Sequence, residues 1–484
     1  MIKINKQELW DKIYACWIGK NIGGTMGGPY EGVRSLLDIK GFATEKGEPL
    51  PNDDLDLQIV WLRAVEKLGP YNINSKTLGE TWLSFVGPHW NEYGIGKANM
   101  KCGLLPPLSG DYRNDWKNSN GAWIRTEIWA CLAPANPDIA AYYAFEDACV
   151  DHGIGEGTYA AMFVAAIESA AFIIGDIRRL VDIGLSKIPD NCRTAQSIRL
   201  LLKLYDEGKS WKEARNAVLE FNSDIGDGWF EAPSNVTYVI LGILYGNGDF
   251  KKSMITAVNC GDDTDCTAAT VGSILGIIGG HNSIPDDWKD YIGDKIITIS
   301  IERGVVHHLP DNCSELTDRV FRLVAHMLFS NYSDTVICNE ATDFDESDIE
   351  KMFSRKATQA LCDTPLNSFR IDFNYASCVV SYDGDADIKP NGKKVIHLHF
   401  INNFYKFGRI PYMMNLRWNL PDGWFVDGPK CVQLLHPTAH SDATSDVDFT
   451  VFSSEKTENI NRIILEITTE GRPTVGLIPI TLMG

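Results

Sequence analysis

Three carboxylates stand within four residues of this sequence: Asp262, Asp263 and Asp265. An almost uncharged run of small and apolar residues follows them directly. Like charges grouped at the start of a buried segment repel each other, so a hard cation or exposure to solvent must relieve the repulsion. In the run itself, Gly272, Gly276 and Gly280 recur every four residues. Because glycine costs about 1 kcal/mol against alanine inside a helix, this spacing predicts a helix that packs closely against another one.

A second acidic group precedes another apolar run. Asp53, Asp54 and Asp56 follow Asn52, and apolar residues then recur up to Leu62. Asparagine before such a run predicts a helix N-cap, and acidic side chains suit a first helical turn, so capping alone could explain the group. If the two acidic helix starts instead face each other, they can share metal ions. Oxygen-rich ligands without paired histidines suit Mg²⁺, Mn²⁺ or Ca²⁺ rather than Zn²⁺.

The composition argues against several classes of protein. A length of 484 residues favours two domains. The net charge of −19 argues against a nucleic-acid binder, because phosphate neutralisation needs clustered Lys and Arg. No apolar run approaches the roughly 20 residues of a membrane span, and the first residues become charged too early for a secretory signal peptide. The 12 cysteines form no CxxC pair, so we expect reduced thiols and a cytoplasmic location.

The first two thirds of the chain have the apolar spacing of helices. Residues 7–24 and 158–174 are examples, and the second of these runs carries few polar residues, so we expect it to be central. Residues 76–118 are rich in Trp, Gly, Pro and Asn. This composition predicts an irregular segment that covers a site.

The pattern changes to period two in the last third of the chain. Residues 395–400, 446–451 and 462–467 alternate apolar with polar side chains, and turn signals separate them. We therefore predict a multidomain α and β fold, with an all-α helical domain followed by a small β-sandwich. The predicted boundaries are residues 1–335 for the helical domain, 336–359 for a linker and 360–484 for a β-sandwich of unknown role.

Several segments resemble the ADP-ribosylglycohydrolase family in their order and approximate spacing. They are Gly27-x-Pro29-x-Glu31, Asn52-Asp53-Asp54, Asp151-His152-Gly153 and Gly261-Asp262-Asp263-Thr264-Asp265-Cys266. The resemblance covers about residues 8–330 and excludes the β-rich tail. Its specific part is the Gly-Asp-x-Asp element within a long helical region. The resemblance implies an all-α catalytic domain over residues 1–335, with two Mg²⁺ ions at the floor of a cleft and Mn²⁺ as a possible substitute.

The resemblance also implies roles for individual residues. The expected metal ligands are Asn52, Asp53, Asp54, Asp263, Asp265 and Cys266, with Asp265 as the bridging ligand. Glu31 resembles the family's mobile acidic residue near the substrate ribose. The expected catalytic residues are Glu31, Asp54 and Asp265. The expected substrate-binding residues are Asn120, Gly121 and His152, which match segments that line the substrate cleft.

This chain departs from the family pattern within both acidic motifs. The family usually has Thr-Asp-Asp-Thr where this chain has Asn-Asp-Asp-Leu, and Gly-Gly-Asp-Thr-Asp-Thr where it has Gly-Asp-Asp-Thr-Asp-Cys. The amide of Asn52 and the thiol of Cys266 thus replace two hydroxyls. An amide oxygen suits a hard cation, whereas a neutral thiol suits it poorly. Asp56 and Asp262 are additional carboxylates that could compensate.

We expect from this resemblance a Mg²⁺-dependent glycoside hydrolase that removes ADP-ribose from a protein side chain or a small acceptor. One alternative is a hydrolase of another ribosyl or glycosyl compound in the same metal cleft. Another is a non-catalytic scaffold or binding member of the family. The retained aspartates speak against this last alternative, because clustered charge without a compensating partner is costly to a fold. Neither a nucleic acid nor a membrane is an expected partner.

Overall fold

The computed structural model describes residues 1–226, 230–302, 308–362, 364–373, 375–403, 412–435 and 443–484. The chain divides into two compact units. The first comprises Met1–Gly94 and Asp115–Asp363, and the second comprises Ile95–Asn114 and Thr364–Gly484. The first unit therefore contains residues 336–359, which the sequence predicts to be a linker. The second unit includes a segment from the middle of the helical region.

Helices dominate the first unit. In chain order the α-helices of the described residues are α1 Lys6–Gly27, α2 Asp53–Leu68, α3 Ser75–Phe85, α4 Asn91–Cys102, α5 Leu108–Asp111, α6 Glu127–Leu132, α7 Pro137–Ala148, α8 Glu156–Ala171, α9 Ile177–Leu185, α10 Arg193–Asp206, α11 Trp211–Phe221, α12 Ala232–Gly246, α13 Phe250–Val258, α14 Thr264–Gly279, α15 Asp286–Ile292, α16 Cys313–Ser330, α17 Glu346–Lys351 and α18 Gln359–Cys362. Helix α5 lies in the second unit, and the division between the units falls within α4. None of the helices among the described residues is long and apolar enough to cross a membrane.

Helices α1 and α14 pack with their backbones in contact. A Cβ atom built on Gly272 would lie 2.1 Å from the carbonyl oxygen of Gly19, and one built on Gly276 would lie 2.4 Å from that of Ala15. The predicted close packing at Gly272 and Gly276 is therefore confirmed. Gly280 has a different role, since it ends α14 with a φ of 71°.

The same packing places the acidic start of α14 beside the end of α1. A Cβ atom built on Gly27, the last residue of α1, would lie 2.2 Å from the carbonyl oxygen of Thr264 and 2.4 Å from the amide nitrogen of Asp265. The Thr264 hydroxyl donates a hydrogen bond of 2.8 Å to the Gly27 carbonyl. The chain leaving α1 reaches Glu31 within one short turn, so Glu31 and Asp265 come close together.

Helix α2 begins where the sequence predicts. Asn52 is its N-cap, with extended backbone dihedral angles, and its Oδ1 accepts a hydrogen bond of 2.8 Å from the amide of Asp54. Asp53, Asp54 and Asp56 lie in the first turn, where their negative charge interacts favourably with the backbone amides that have no acceptor within the helix. The capping interpretation of this acidic group is therefore confirmed, and it does not exclude metal binding.

Two details of the predicted fold are wrong. The first unit is not purely helical, because strand β1 (Lys3–Asn5) pairs in parallel with strand β2 (Val336–Cys338). The description all-α is also inaccurate for the full chain, because two antiparallel sheets follow the helices. Residues 76–118 are not an irregular segment, since they contain most of α3 and all of α4 and α5. Their Trp and Gly residues obscured the helical spacing.

Two antiparallel sheets form most of the second unit. Their strands are β3 Ser368–Asp372, β4 Ala376–Tyr382, β5 Lys393–Asn402, β6 Tyr412–Asn419, β7 Phe425–Asp427, β8 Cys431–Leu434, β9 Thr444–Phe452, β10 Ile460–Thr469 and β11 Val475–Met483. The strand orders are β11-β10-β6-β8 and β3-β4-β5-β9-β7. Alternate side chains of both sheets enter one apolar core, which also contains Leu104, Leu108 and Tyr112. The predicted β-rich tail is confirmed, and residues 95–114 contribute to its core.

Candidate functional site

A cavity of about 450 Å³ lies in the first unit. Its walls come from the end of α1, the start of α2, the start of α4, the loop at residues 119–121 and the start of α14. Residues Glu31, Asp53, Asp263, Asp265 and Cys266 line it together. The two acidic helix starts of the sequence therefore meet at one cavity.

Two buried carboxylates that line this cavity at the start of α14 carry oxygen atoms without a hydrogen-bond partner. They are Oδ1 of Asp263 and Oδ1 of Asp265, in side chains that are 4% and 7% exposed. Leaving a buried charged oxygen without a donor costs several kcal/mol. Two overlapping sets of ligand atoms, each within 4.8 Å, could relieve this cost by holding a cation: Asp54, Asp265 and Cys266 form one set, and Glu31, Asp263 and Asp265 form the other.

Asp265 belongs to both sets, which is the arrangement expected of a bridging ligand. The donor atoms are carboxylate oxygens apart from one sulfur, and such oxygens suit Mg²⁺ or Mn²⁺. On these grounds the residues present fit a divalent metal centre. The identity of the metal is not determined by this arrangement.

The loop before α14 is shaped by its own side chains. Asp262 has a left-handed φ of 70°, and its amide donates a hydrogen bond of 2.8 Å to the Val33 carbonyl. Its Oδ2 accepts a hydrogen bond of 3.0 Å from Asn235 Nδ2. Asp262 thus fixes the loop instead of joining the described ligand sets. Asp56 also has a structural role, because its Oδ2 accepts hydrogen bonds of 2.5 Å from the backbone amides of Ile299 and Ser300.

Burial and the neighbouring negative charges raise the pKa values of Asp53 and Glu31. Burial, together with the charge of Asp265, raises the pKa of Asp53 to about 6, although the hydroxyl of Tyr93 donates a hydrogen bond of 2.9 Å to its Oδ2. The charge of Asp265, partial burial and the charge of Asp53 raise the pKa of Glu31 to about 8. Mutual repulsion among carboxylates contributes to both shifts, and a bound cation would reduce this contribution.

Asp54 is fully buried and lies next to a buried cation. The Nζ of Lys20 is 3.5 Å from Oδ2 of Asp54 and 2.6 Å from Oε1 of Glu127. Lys20, Asp54 and Glu127 are all 0% exposed. Gln58 links the group to the backbone, because its Nε2 donates to Glu127 and its Oε1 accepts from the amide of Ile128 at 2.6 Å.

Asn52 and Cys266, the two departures from the family pattern, both have partners within the protein. The oxygen of Asn52 caps α2, as described above. The thiol of Cys266 donates a hydrogen bond of 3.3 Å to Oδ1 of Asp54. Their place among the metal ligands stays a prediction, and for Cys266 the sulfur lies within one of the two ligand sets.

The predicted substrate-binding residues lie at different distances from the cavity: two line it and one lies behind its wall. Asn120 lines the cavity, where its Nδ2 donates a hydrogen bond of 2.6 Å to Oδ2 of Asp263. Gly121 also lines it, and a Cβ atom built there would lie 2.2 Å from Oε1 of Glu92. His152 is fully buried and reaches the wall through Ser119, whose Oγ is 3.3 Å from its Nε2.

A buried arginine holds the loop that carries Asn120 and Gly121. The Nη1 of Arg125 donates a hydrogen bond of 2.6 Å to the Gly121 carbonyl, while the guanidinium pairs with Asp147 at 2.9 Å and Asp151 at 2.7 Å. Burial alone would raise the pKa of Asp151, but the charges and hydrogen bonds of Arg125 and His152 together outweigh it and lower the pKa to about 2. Asp151 in turn accepts from Nδ1 of His152 at 2.9 Å, which orients the imidazole toward Ser119.

Sequence reasoning missed several residues of this site. Glu92 and Tyr93 line the cavity from α4, and Trp90 lines it from the position just before that helix, in the segment that the sequence predicts to be irregular. Glu92 is 6% exposed, and burial raises the pKa of its carboxyl group. Lys20 carried a weak signal, because it is a charged residue within an otherwise apolar stretch of α1.

The helical unit and its cavity define a class: a helical protein with a carboxylate-lined cavity. The family model described as ADP-ribosylglycohydrolase matches residues 5–324, and the chain belongs to this family. Family membership supports a glycohydrolase-type function. No curated protein matches the chain.

Solved structures show more distant similarities. A protein described as "ADP-ribosylglycohydrolase-related protein complex" is 18% identical, with a TM-score of 0.45, and the match covers 66% of this chain and 99% of that one. A FixG-related protein from Vibrio parahaemolyticus is 11% identical, with a TM-score of 0.19, and the match covers 23% of this chain and 97% of that one.

Proposed function

We propose that this protein is a divalent-metal-dependent hydrolase that releases ADP-ribose from an ADP-ribosylated protein side chain or small acceptor. The observation that carries the proposal is the pair of buried, unpartnered oxygens of Asp263 and Asp265 in the wall of a ligand-sized cavity. A volume of about 450 Å³ falls in the range of roughly 300–1,000 Å³ that small-molecule sites occupy. Family membership supports the glycosidic bond as the target.

Asp53, Asp54, Asp263 and Asp265 would hold two ions, with Mg²⁺ or Mn²⁺ as the expected metal. When bound, such ions supply positive charge that binds ribose hydroxyls and orients water. The protein fixes its own carboxylates for this task. Tyr93 holds Asp53 through its hydroxyl, and Asn120 holds Asp263 through its amide.

Other residues of the cavity act directly on the substrate in this proposal. Glu31 is the exposed carboxylate of the acidic group, and with its pKa lowered by bound cations it would accept a proton from the water that attacks the glycosidic carbon. Trp90 and Phe230 supply aromatic surface in the same cavity, which can stack on a base. The catalytic residues all lie between Glu31 and Asp265, so residues 1–335 carry the activity and the β-sandwich remains without an assigned role.

The test is hydrolysis of a panel of substrates in the presence of Mg²⁺ or Mn²⁺. The panel contains ADP-ribosyl-arginine, ADP-ribosyl-serine and simple ribosides, and free ADP-ribose or ribose is measured. Asp265→Ala is the blank, because it removes the carboxylate shared by both ligand sets. We expect release of ADP-ribose that stops with EDTA. No release from any ADP-ribosylated compound by a metal-loaded enzyme would refute the proposal.

One observation favours a second candidate, a hydrolase of a neutral ribosyl or glycosyl compound. Among the described residues that line the cavity, none is a lysine or an arginine. A diphosphate would therefore depend on metal ions and backbone amides for its neutralisation. Turnover of simple ribosides with no turnover of ADP-ribosylated compounds would support this second candidate. A metal-loaded protein that hydrolyses nothing would instead support the non-catalytic role.

The proposed location is the cytoplasm. Cysteines of the described chain, including the exposed Cys431, are free thiols. This observation agrees with a reducing compartment but is not specific to one.

A further inference from the structure

The two sets of candidate metal ligands differ in chemistry. The set of Glu31, Asp263 and Asp265 offers oxygen only, whereas the set of Asp54, Asp265 and Cys266 offers two oxygens and one sulfur. All three residues of the sulfur-containing set are buried. Asp265, which both sets share, is 7% exposed and carries the unpartnered Oδ1.

From this difference we infer that the protein holds two unlike cations, with Cys266 as a thiolate ligand that selects a borderline metal such as Zn²⁺, Co²⁺ or Fe²⁺ at the inner position. The all-oxygen position keeps a hard cation such as Mg²⁺ or Mn²⁺. The inference rests on the metal centre of the proposed function and is independent of the substrate.

The sulfur lies beside a carboxylate of the same ligand set. The Cys266 thiol donates a hydrogen bond to Oδ1 of Asp54, with 3.3 Å between the sulfur and the oxygen, so the S–H proton lies between two candidate ligand atoms. A divalent cation that binds there replaces this proton. The S–H bond breaks, the proton leaves to solvent, and the thiolate binds the metal without any change of oxidation state.

A thiolate distinguishes metals more sharply than a hydroxyl does. Thiolate ligands favour Zn²⁺ and related ions, while Mg²⁺ prefers oxygen and keeps much of its water. Lys20, 3.5 Å from Asp54, leaves less negative charge for a cation to neutralise at this position. The strength of binding there therefore depends more on the sulfur–metal bond and less on simple charge, which again favours the borderline metals.

The chain offers a matched control within the same region. Cys260 is 0% exposed, and its thiol donates a hydrogen bond of 3.4 Å to the Thr256 carbonyl. It lies six positions before Cys266, on the other side of the acidic loop, and belongs to neither ligand set. Cys260→Ser therefore removes a nearby buried thiol without removing a candidate ligand.

The experiment is a titration of the metal-free full chain with Co²⁺, followed by absorption spectroscopy. A cobalt–thiolate bond adds a charge-transfer band in the near ultraviolet that oxygen ligands do not produce. We expect the band in the wild-type protein and in Cys260→Ser, and its loss in Cys266→Thr and Cys266→Ser.

Competition between metals provides a second readout. After equilibration with Mg²⁺ and Zn²⁺ together and removal of free ions, the wild-type protein should retain both metals. In Cys266→Thr, Zn²⁺ affinity should fall by at least about tenfold, the lower end of the loss seen when even an outer partner of a metal ligand is removed. Circular dichroism of each variant establishes that it is folded.

Co²⁺ binding to the wild-type protein without the charge-transfer band would overturn the inference, as would equal Zn²⁺ retention by Cys266→Thr. These outcomes are separate from failure of the proposed function. If the band is absent while ADP-ribose is still released with Mg²⁺, the proposed function stands and the inference fails. If the band is present and no substrate is hydrolysed, the inference stands and the proposed function fails.

Discussion

Replacing Lys20 by methionine tests whether a buried cation balances the acidic site. Lys20 is fully buried between Asp54 and Glu127. Burial alone would lower the pKa of its ammonium group, but the charges of Glu127 and Asp54 outweigh burial and raise it. The methionine side chain occupies a similar volume without charge. Asp54 and Glu127 would then remain buried without their cation.

The expected loss of stability is large. Removing one partner of a buried ion pair costs about 3–5 kcal/mol, because the other charge stays buried and uncompensated. Lys12→Met on the same helix is the matched control: its Nζ is 3.3 Å from Glu8, whose side chain is 41% exposed. The Lys12 side chain is 12% exposed, so this pair is only partly exposed; a pair at the surface is worth about 0–1 kcal/mol. The Phe172 carbonyl, which Lys12 also contacts at 2.6 Å, adds the cost of one lost hydrogen bond.

The assay is urea unfolding of the metal-free chain, followed by far-ultraviolet circular dichroism, which reports the helices. Adding Glu127→Gln to Lys20→Met should recover part of the loss, because one of the two uncompensated charges is removed. A divalent cation should stabilise Lys20→Met more than the wild type, since it neutralises Asp54 directly. If Lys20→Met and Lys12→Met lose equal stability, the reasoning about the buried ion group is wrong.

Three further predictions concern the metals, the pH dependence and the helix packing. Mg²⁺ or Mn²⁺ at 100 times its dissociation constant should stabilise the fold by about 2.7 kcal/mol in a thermal or urea melt. Asp265→Ala should abolish this stabilisation. Equal stability of the wild type with and without EDTA would count against bound ions. Because Arg125 and His152 together lower the folded pKa of Asp151 to about 2, below its unfolded value, the stability from these contacts is present above about pH 4 and is lost as the pH falls toward 2. Urea melts over this window should show a shallower slope for Asp151→Asn, and identical slopes would contradict the assignment. Gly272→Ala should destabilise the chain by about 1–3 kcal/mol or more, because its Cβ would lie 2.1 Å from the backbone of α1. Gly41→Ala is the control, since no atom lies within 4 Å of its added Cβ. Equal stability of the two variants would contradict the packing argument.

The parts of the fold that were predicted correctly have local signals. The N-cap at Asn52, the glycines of α14 and the alternation along β5, β9 and β10 can each be recognised from neighbouring residues alone. The meeting of the two acidic motifs has no local signal. It was expected because the resemblance supplied it.

The missed parts depend on distant partners. Leu104, Leu108 and Tyr112 look like ordinary half-buried apolar residues, and only the strands more than 250 positions later show which core they enter. Trp90 and Tyr93 were assigned to a covering segment because aromatic residues near glycines do not distinguish a helix from a loop. The role of Lys20 could not be predicted either, since its partner Glu127 lies 107 residues away.

The carboxylates of the acidic site differ in how far the protein itself compensates their negative charge. The difference indicates where a metal ion stabilises the site most. Asp54 has a lysine beside it and a thiol hydrogen bond, so much of its charge is already matched within the protein. Asp263 and Asp265 each keep one buried oxygen without a donor, at the start of α14, directly after a loop that Asn235 and the backbone of Val33 hold in place through Asp262. A loop fixed in this way cannot easily turn these oxygens toward solvent to reduce their repulsion. The cation is therefore needed chiefly at the start of α14, and substitution of Asp263 or Asp265 should reduce metal-dependent stability more than substitution of Asp54.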